Sequence, residues 1–315
     1  MRIIILQEKI NWVENLKVLG ILTVILGHIA SPLGGFIFSF HMPLFFILAG
    51  FFIKFDLNFK EFITKDFKRL MVPYFIFAFV GLGLEILKRY ALHRDSVNIF
   101  EELQSIFIWM DMSSLIHTYA FVLWFLPALF FAKAILFIVK NNIQNTFAQF
   151  LVISSLFSLS FFVNLPFGID NAMNALLFVF IGHIYFKLYE DSKILYVLPF
   201  ILIGIYAFVG FPTLDMATKA YSNVVINILF SISIIYTFII IFKKINSENK
   251  LLKIWGGNTM LLFVIHPYTN NIAHIVVEKL HFGDWYLKFF ISLFLLQILL
   301  FIKLKFENRG IFKYV

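Results

Sequence analysis

Residues 17–52 read KVLGILTVILGHIASPLGGFIFSFHMPLFFILAGFF, and this stretch decides what kind of fold the chain can adopt. One lysine and two histidines, Lys17, His28 and His41, stand inside runs that are otherwise apolar and about as long as a membrane is thick. Ionisable groups in such runs are costly and usually serve a function. Between Lys17 and His28 a helix rises about 16 Å, or about three turns, so both side chains lie near one face.

The composition of the chain indicates an integral membrane protein. Apolar residues make up 61% of the 315 residues, charged residues make up only 14%, and 44 residues are Phe. A soluble core of this size cannot bury so much apolar surface, whereas lipid-facing helices of about 20 residues each can. We therefore predict an all-α, polytopic membrane bundle that forms one domain over residues 1–315.

Hydropathy predicts about ten transmembrane helices, joined mostly by short loops that contain Pro and Gly. The predicted spans are 12–33, 36–54, 71–88, 119–138, 147–165, 172–188, 194–211, 222–242, 257–277 and 285–303. Two longer polar stretches lie between them. We expect residues 56–69 to form an amphipathic helix at the membrane interface and residues 89–117 to form a partly folded lid.

The distribution of basic residues predicts the orientation. Most Lys and Arg fall at the two termini and in the loops on the same side as the termini, so the positive-inside rule puts both termini in the cytosol. An anionic membrane leaflet is sufficient to explain the net charge of +8, and no nucleic-acid partner is expected. The first apolar run lacks a small-residue cleavage site, and we interpret it as a retained helix.

In this orientation His28 and His41 lie at a similar depth in the outer half of the membrane, where we expect the two imidazoles to face each other. His28 is a candidate for chemistry, and the alternative is a structural imidazole bonded to a neighbouring helix. His41 precedes Pro43 by two residues, so an equal alternative is that it organises the kink made by the proline.

Four basic residues are predicted at the cytosolic mouth of the bundle: Lys17, Lys65, Lys68 and Arg69. Cations without matching acids suit a ligand that carries phosphates. Two plainer interpretations stay open. Lys17 can reach the headgroups and pair with Glu14 one turn earlier, and the other three can bind lipid headgroups.

Five stretches, in order and spacing, carry a family resemblance: Glu14 to Lys17 with His28, FHMPLFFILAGFF at 40–52, the basic run 65–69 with Pro73 and Tyr74, LWFLPALF at 123–130, and GNTMLLFVIHPY at 257–268. They resemble the blocks of acyltransferase family 3, the integral membrane O-acyltransferases that include bacterial cell-surface sugar O-acetyltransferases and fucose 4-O-acetylase-like proteins. Ala49 stands where Ser is common in that family, and Lys65 and Lys68 stand where Arg is frequent. Residues 140–250 contribute mainly hydropathy.

The resemblance implies transfer of an acetyl group from cytosolic acetyl-CoA to a carbohydrate hydroxyl in a bacterial inner membrane. The acceptor would belong to capsule, lipopolysaccharide or another exported glycan, which can be lipid-linked. The implied catalytic residues are His28, Glu14 and His41, and the implied donor-binding residues are Lys17, Lys65, Lys68 and Arg69. An imidazole suits general-base catalysis on a hydroxyl.

Trp124 and His266 are the candidates for acceptor binding. Sugars often stack on an aromatic face, and His266 stands next to Pro267 inside a predicted span. The alternatives are a membrane-interface anchor for Trp124 and helix-to-helix hydrogen bonding for His266. We expect no metal, because no set of His and acidic residues has a recognisable ligand spacing and the chain has no Cys.

Two other functions are compatible with a polar cavity between helices. A transporter or flippase for a glycan or lipid-linked sugar would be indicated by broken helices in corresponding halves of the chain, a symmetry not found in the sequence. A non-catalytic assembly protein would not need His28 and Lys17 on one helix face.

Overall fold

The computed structural model describes residues 2–185, 192–245 and 247–306, with side chains from Asn11 onward. The described chain is almost entirely helical. Its helices are α1 (Arg2–Gly27), α2 (Gly34–Phe38), α3 (His41–Phe51), α4 (Phe59–Asp66), α5 (Val72–Ala91), α6 (Ile99–Gln104), α7 (Met112–Leu115), α8 (Phe125–Asn142), α9 (Thr146–Leu159), α10 (Ile169–Ile184), α11 (Leu198–Val209), α12 (Val224–Ile245), α13 (Lys250–Gly257), α14 (Thr259–Leu280) and α15 (Trp285–Lys305).

Tighter and wider helical turns connect several of these helices. Turns of 3-10 helix are Tyr119–Trp124, Pro166–Gly168 and Lys193–Val197, and π-helical turns are Phe67–Met71 and Ser105–Trp109. The strands β1 (Leu214–Asp215) and β2 (Ala220–Tyr221) pair antiparallel in a short hairpin between α11 and α12.

Seven helical stretches of the described chain are long and apolar enough to cross a membrane: Gly34–Phe51, Phe59–Ala91, Tyr119–Asn142, Pro166–Ile184, Val224–Ile245, Thr259–Leu280 and Trp285–Lys305. Two shorter apolar helices are Thr146–Leu159 and Lys193–Val209. Each of the ten predicted spans overlaps a helix, and the prediction of a helical membrane bundle is confirmed. Ten crossings and cytosolic termini stay predictions.

The amphipathic helix predicted within 56–69 is present as α4, and it is continuous with the helix that follows. Helix α4 begins at Phe59, where the side chain of Asn58 accepts a hydrogen bond from the Glu61 amide at 2.9 Å. It then continues through the π-helical turn into α5, so that the basic residues of this stretch lie on the same long helix as the third predicted span. The region predicted as a lid contains the short helices α6 and α7.

The centre of the bundle depends on close helix contacts. Helices α3 and α10 cross at two glycines: a Cβ on Gly50 would lie 2.1 Å from the Val179 carbonyl oxygen, and a Cβ on Gly182 would lie 2.0 Å from that of Ile47. Small residues let backbones approach in membrane bundles, where packing drives helix association. Helix α1, which carries Lys17, packs against α3, α12, α13 and α14.

Candidate active site

A cavity of about 1000 Å³ opens between α1, α3, α4, the 67–71 turn, α8 and the start of α14. Its wall includes apolar rings such as Phe45, Phe125 and Phe263. It also includes several basic side chains. Cavities that bind small molecules have volumes of about 300–1000 Å³, so this one has room for a large ligand. We call it the basic cavity.

All four predicted phosphate-binding residues line the basic cavity, namely Lys17, Lys65, Lys68 and Arg69. They come from two elements, α1 and the helix that contains residues 59–71, which are separated in sequence by the α2–α3 segment. Two further lysines, Lys54 and Lys133, line it as well. The structure therefore brings the predicted cations together and adds two that were not predicted.

Only some of these cations have an acidic partner. Lys17 Nζ lies 2.7 Å from Glu14 Oε1, and Lys133 forms a buried ion pair with Asp66. The other four are exposed to the cavity and have no acidic partner among the residues that the structure describes: Lys54, Lys65, Lys68 and Arg69. A cavity with four unpaired cations and space for a ligand is suited to bind a polyanion.

The π-helical turn Phe67–Met71 orients two of these cations. The amide of Val72 donates to the carbonyl of Phe67, five residues earlier, instead of to that of Lys68. Pro73 lacks an amide proton and cannot donate to Arg69, which favours a wider turn at this point. Turns of this kind are frequent at functional sites, and here the turn carries Lys68 and Arg69.

Lys133 could have been found in the sequence. It stands in the apolar segment FLPALFFAKAILF of α8, and an ionisable residue inside such a segment is itself a functional signal. Its partner Asp66 precedes the π-helical turn directly, and the exposed fractions of the two side chains are 5% and 7%. The pair joins α8 to the basic helix and forms part of the cavity wall.

Glu14 lies in the cavity wall and not beside His28. Its Oε1 accepts from Lys17, whereas its Oε2 is buried and has no hydrogen-bond partner. About four turns of α1 separate it from His28, which is about 21 Å of helix rise. The structure therefore does not bring the predicted catalytic carboxylate to the predicted catalytic imidazole.

His28 follows the last residue of α1 and its side chain is exposed. Its ring centroid lies 5.1 Å from that of His266 on α14 and 5.4 Å from that of Phe121. His266, predicted to bind the acceptor, is thus in ring contact with His28 and is itself fully buried. The structure thus shows a ring contact of His28 with His266, and a direct pairing of His28 with His41 stays a prediction.

His41 is buried at the start of α3, where its Nδ1 lies 2.9 Å from the carbonyl oxygen of Ile37 and its ring packs against Phe38 at 5.0 Å. Pro43 lacks the amide proton that would bond the carbonyl of Ser39, and Ser231 on α12 donates to that carbonyl at 2.6 Å instead. These contacts fit the alternative in which His41 organises the helix break.

Trp124 is buried, with its ring 6.5 Å from that of Phe46, so it offers no free ring face to a ligand. A different aromatic pair lies nearer to the histidines. Tyr119, from the same 3-10 turn as Phe121, stacks on Tyr268 of α14 at 4.9 Å, and both rings are half-buried. Neither tyrosine was predicted, because hydropathy does not indicate which helices meet.

The basic cavity and the histidines are neighbours separated by side chains. The ring of Phe263 lines the cavity and lies 5.9 Å from that of His266, which in turn contacts His28. Phe263 and His266 thus form a continuous contact from the wall of the basic cavity to the exposed imidazole of His28.

The fold and this site define a multi-pass helical membrane protein with a basic cavity beside a histidine pair. A family model described as an acyltransferase domain matches residues 10–306, almost the whole chain. The protein belongs to the acyltransferase 3 family and is a membrane acyltransferase. No curated protein and no solved structure matches the chain.

Proposed function

We propose that the protein transfers an acetyl group from cytosolic acetyl-CoA to a hydroxyl of a cell-surface carbohydrate. The observation that carries this proposal is the basic cavity, whose wall includes both four unpaired cations and Phe263, the ring of which contacts His266 of the histidine pair. Coenzyme A has the matching shape, with phosphates at one end and a reactive thioester at the end of a flexible arm.

The residues of the basic cavity fit this donor. Lys54, Lys65, Lys68 and Arg69 would bind its phosphates, and the apolar wall would hold the pantetheine arm. About 16 Å of helix rise separates Lys17 from His28, a distance that such an arm can cover. The unpartnered Oε2 of Glu14 would accept a hydrogen bond from an N–H of the donor, a role that replaces the predicted catalytic one.

His28 would act as the general base. Its nitrogen takes the proton of the acceptor hydroxyl while the hydroxyl oxygen attacks the thioester carbonyl. The C–O bond forms, the C–S bond breaks, and the proton passes from His28 to the departing thiolate, so that the products are an acetyl ester and the free thiol of CoA. A positioned base of this kind accelerates a reaction by roughly a hundred- to ten-thousandfold. A rotation of the Phe263 ring would join the cavity to His28.

The positive-inside rule supports the orientation in which the basic cavity opens to the cytosol of a bacterium, where acetyl-CoA is present. The exposed side of His28 would then face the outer half of the inner membrane. An acceptor from capsule, lipopolysaccharide or another exported glycan, free or lipid-linked, would approach from that side.

The test compares surface glycans from cells that produce the wild type or His28→Ala. Mass spectrometry should show one acetyl unit present with the wild type and absent with His28→Ala, at equal amounts of folded membrane protein. The matched control is His274→Ala, which removes an exposed histidine of α14 and should leave acetylation unchanged. Acetylation that survives in His28→Ala would refute the assignment of His28 as the base. Surface glycans that carry no additional acetyl group even in cells producing the wild type would favour a transporter.

A further inference from the structure

His266 lies in the interior of the bundle, where one of its ring nitrogens is hydrogen-bonded and the other is not. Its Nδ1 lies 2.6 Å from the carbonyl oxygen of Phe263, three residues earlier on α14. Its Nε2 is buried and has no hydrogen-bond partner. A buried polar atom without a partner is rare and calls for a physical reason.

Pro267 explains why Nδ1 is bonded to this particular carbonyl. In a regular helix the amide of residue 267 would donate to the carbonyl of residue 263, but proline has no amide proton. The carbonyl of Phe263 is therefore free to accept a bond from His266 Nδ1. Because a carbonyl can only accept, Nδ1 must carry the proton, and a neutral His266 keeps its lone pair on Nε2.

A second set of contacts fixes His28 against α14. The carbonyl of Ile25, in the last turn of α1, accepts a hydrogen bond from Asn270 Nδ2 at 2.9 Å. Asn270 is held in turn by Ser292 Oγ of α15 at 2.7 Å, which also bonds Thr269. The end of α1 is thus fixed to the helix that carries His266.

The two imidazoles are at the right separation for a hydrogen bond between them. Two imidazoles joined nitrogen to nitrogen by a normal hydrogen bond have centroids roughly 5 Å apart, and the observed separation is 5.1 Å. The bond is not formed in the structure. It requires a turn of the His28 ring, which is exposed, and catalytic hydrogen bonds often close only when ligands bind.

We propose that His266 is the positioning residue for His28, accepting the N–H of His28 on its Nε2 lone pair and leaving the second nitrogen of His28 to act as the base. This assignment rests on the acyl transfer proposed above. When His28 takes the proton of the acceptor hydroxyl, its bond to His266 becomes charge-assisted and therefore stronger. An interaction that strengthens in the transition state raises kcat and leaves donor binding unchanged.

A shared metal ion is a different explanation for neighbouring histidines. In the described part of the chain no three His, Cys, Asp or Glu side chains come together as metal ligands. The Nδ1 of His41 is also directed at a helix carbonyl, that of Ile37. The geometry therefore favours a hydrogen-bonded pair.

The test measures kcat and KM for acetyl-CoA with purified protein in lipid nanodiscs, with glycan from cells lacking the gene as acceptor. His266→Phe keeps the ring size but removes the acceptor nitrogen, and kcat should fall roughly 10- to 100-fold while KM stays within about twofold. His266→Gln, whose amide oxygen can accept from His28, should recover part of kcat. His274→Phe on the same helix is the control and should behave as wild type.

Pro267→Ala separates positioning from a purely structural role. It restores an amide proton that competes for the Phe263 carbonyl, so the His266 tautomer is no longer fixed. We expect kcat to fall several-fold although the melting temperature does not decrease. If His266→Phe does not fold, Pro267→Ala decides the question by the same measurements.

Wild-type kcat in folded His266→Phe, or in Pro267→Ala where His266→Phe does not fold, would overturn the proposal, and so would a raised KM with unchanged kcat, which would make His266 a binding residue. Failure of the acyl-transfer proposal looks different. In that case the wild type itself releases no CoA thiol, or His28→Ala is as active as the wild type.

Discussion

Two charged regions of the molecule use the same kinds of side chain and differ in how many of them are paired. In the hairpin cluster, formed by Asp170, Asn171, Asn174, Lys219 and Tyr221, every polar side chain has a partner. In the basic cavity, four cations have none among the described residues. The difference indicates that the hairpin cluster stabilises the fold, whereas the exposed cations of the basic cavity are available to bind an anionic ligand.

The bonds of the hairpin cluster show its structural role. Lys219 pairs with Asp170 and also donates to the Val163 carbonyl at 3.2 Å. Asn171 donates to the carbonyls of Met216 and Ala217 at 3.2 and 2.9 Å. Asn174 accepts from Tyr221 at 2.6 Å and donates to Ser160 at 3.1 Å. These bonds attach the hairpin to the start of α10, and none of these residues lines the basic cavity.

The largest expected effect is on stability, from breaking the pair in the hairpin cluster. Lys219→Met leaves the buried carboxylate of Asp170 without its ion-pair partner and should lower the free energy of unfolding by about 3–5 kcal/mol. The KM for acetyl-CoA should not change in the protein that remains folded. Denaturation in detergent micelles measures the free energy of unfolding. The control is Lys60→Met, which replaces an exposed lysine outside the cavity. An unchanged stability would contradict the structural role of the cluster.

The Asp66–Lys133 ion pair lies in the wall of the basic cavity, yet its two charges are paired with each other, as in the hairpin cluster. Asp66→Asn or Lys133→Met alone should each destabilise the protein by roughly 3 kcal/mol, since each leaves one buried charge. The double variant should recover most of this loss, and it should keep the KM for acetyl-CoA because the pair adds no net charge. A double-mutant cycle on stability and KM measures both. Additive losses in the double variant would show that the two side chains act separately.

Substitution of the unpaired cations should weaken donor binding and leave stability unchanged, the opposite of the effect expected for Lys219→Met. Lys68→Ala combined with Arg69→Ala should raise the KM for acetyl-CoA about 10- to 100-fold, since charge-assisted bonds to phosphate contribute roughly 1.5–3 kcal/mol. Stability should not fall, because no partner is left unpaired. Steady-state kinetics and a thermal melt test this, with Lys60→Ala as the matched control. A loss of stability without a change in KM would assign these residues to the fold.

The smallest effect is expected for Lys17, which lies in the cavity but is already paired with Glu14 at 2.7 Å. Its charge is partly neutralised, so Lys17→Ala should raise the KM for acetyl-CoA less than about tenfold, below the effect of the double cation variant. Added salt should weaken donor binding in the wild type more than in the double cation variant, because salt screens exposed charges. An effect of Lys17→Ala as large as that of the double variant would contradict the account.

Much of the fold could be predicted from the sequence, because lipid-facing helices are apolar over their whole length and hydropathy detects them directly. The four predicted donor-binding cations line one cavity, although they lie on two helices that are separated in sequence by α2 and α3. The partner of His28 could not be predicted in this way. His266 is about 240 residues away along the chain, and hydropathy does not say that α14 packs on α1.

The missed features share a physical cause. All of them are contacts between segments distant in sequence: the Asp66–Lys133 pair, the histidine pair, and the stacked Tyr119 and Tyr268. The order of the apolar segments along the chain does not determine which segments contact each other. Some local signals were nevertheless present. A lysine within α8 and a proline directly after His266 both indicated polar contacts inside the bundle.

We propose above that the unpaired cations of the basic cavity bind the phosphates of the acyl donor. The most direct measurement compares the affinities of the purified protein for acetyl-CoA and for S-acetylpantetheine, which has the same thioester arm without phosphates. The wild type should bind acetyl-CoA at least about tenfold more tightly, and Lys68→Ala with Arg69→Ala should lose most of this preference, whereas Lys60→Ala keeps it. Equal affinities of the wild type for the two compounds would contradict the account.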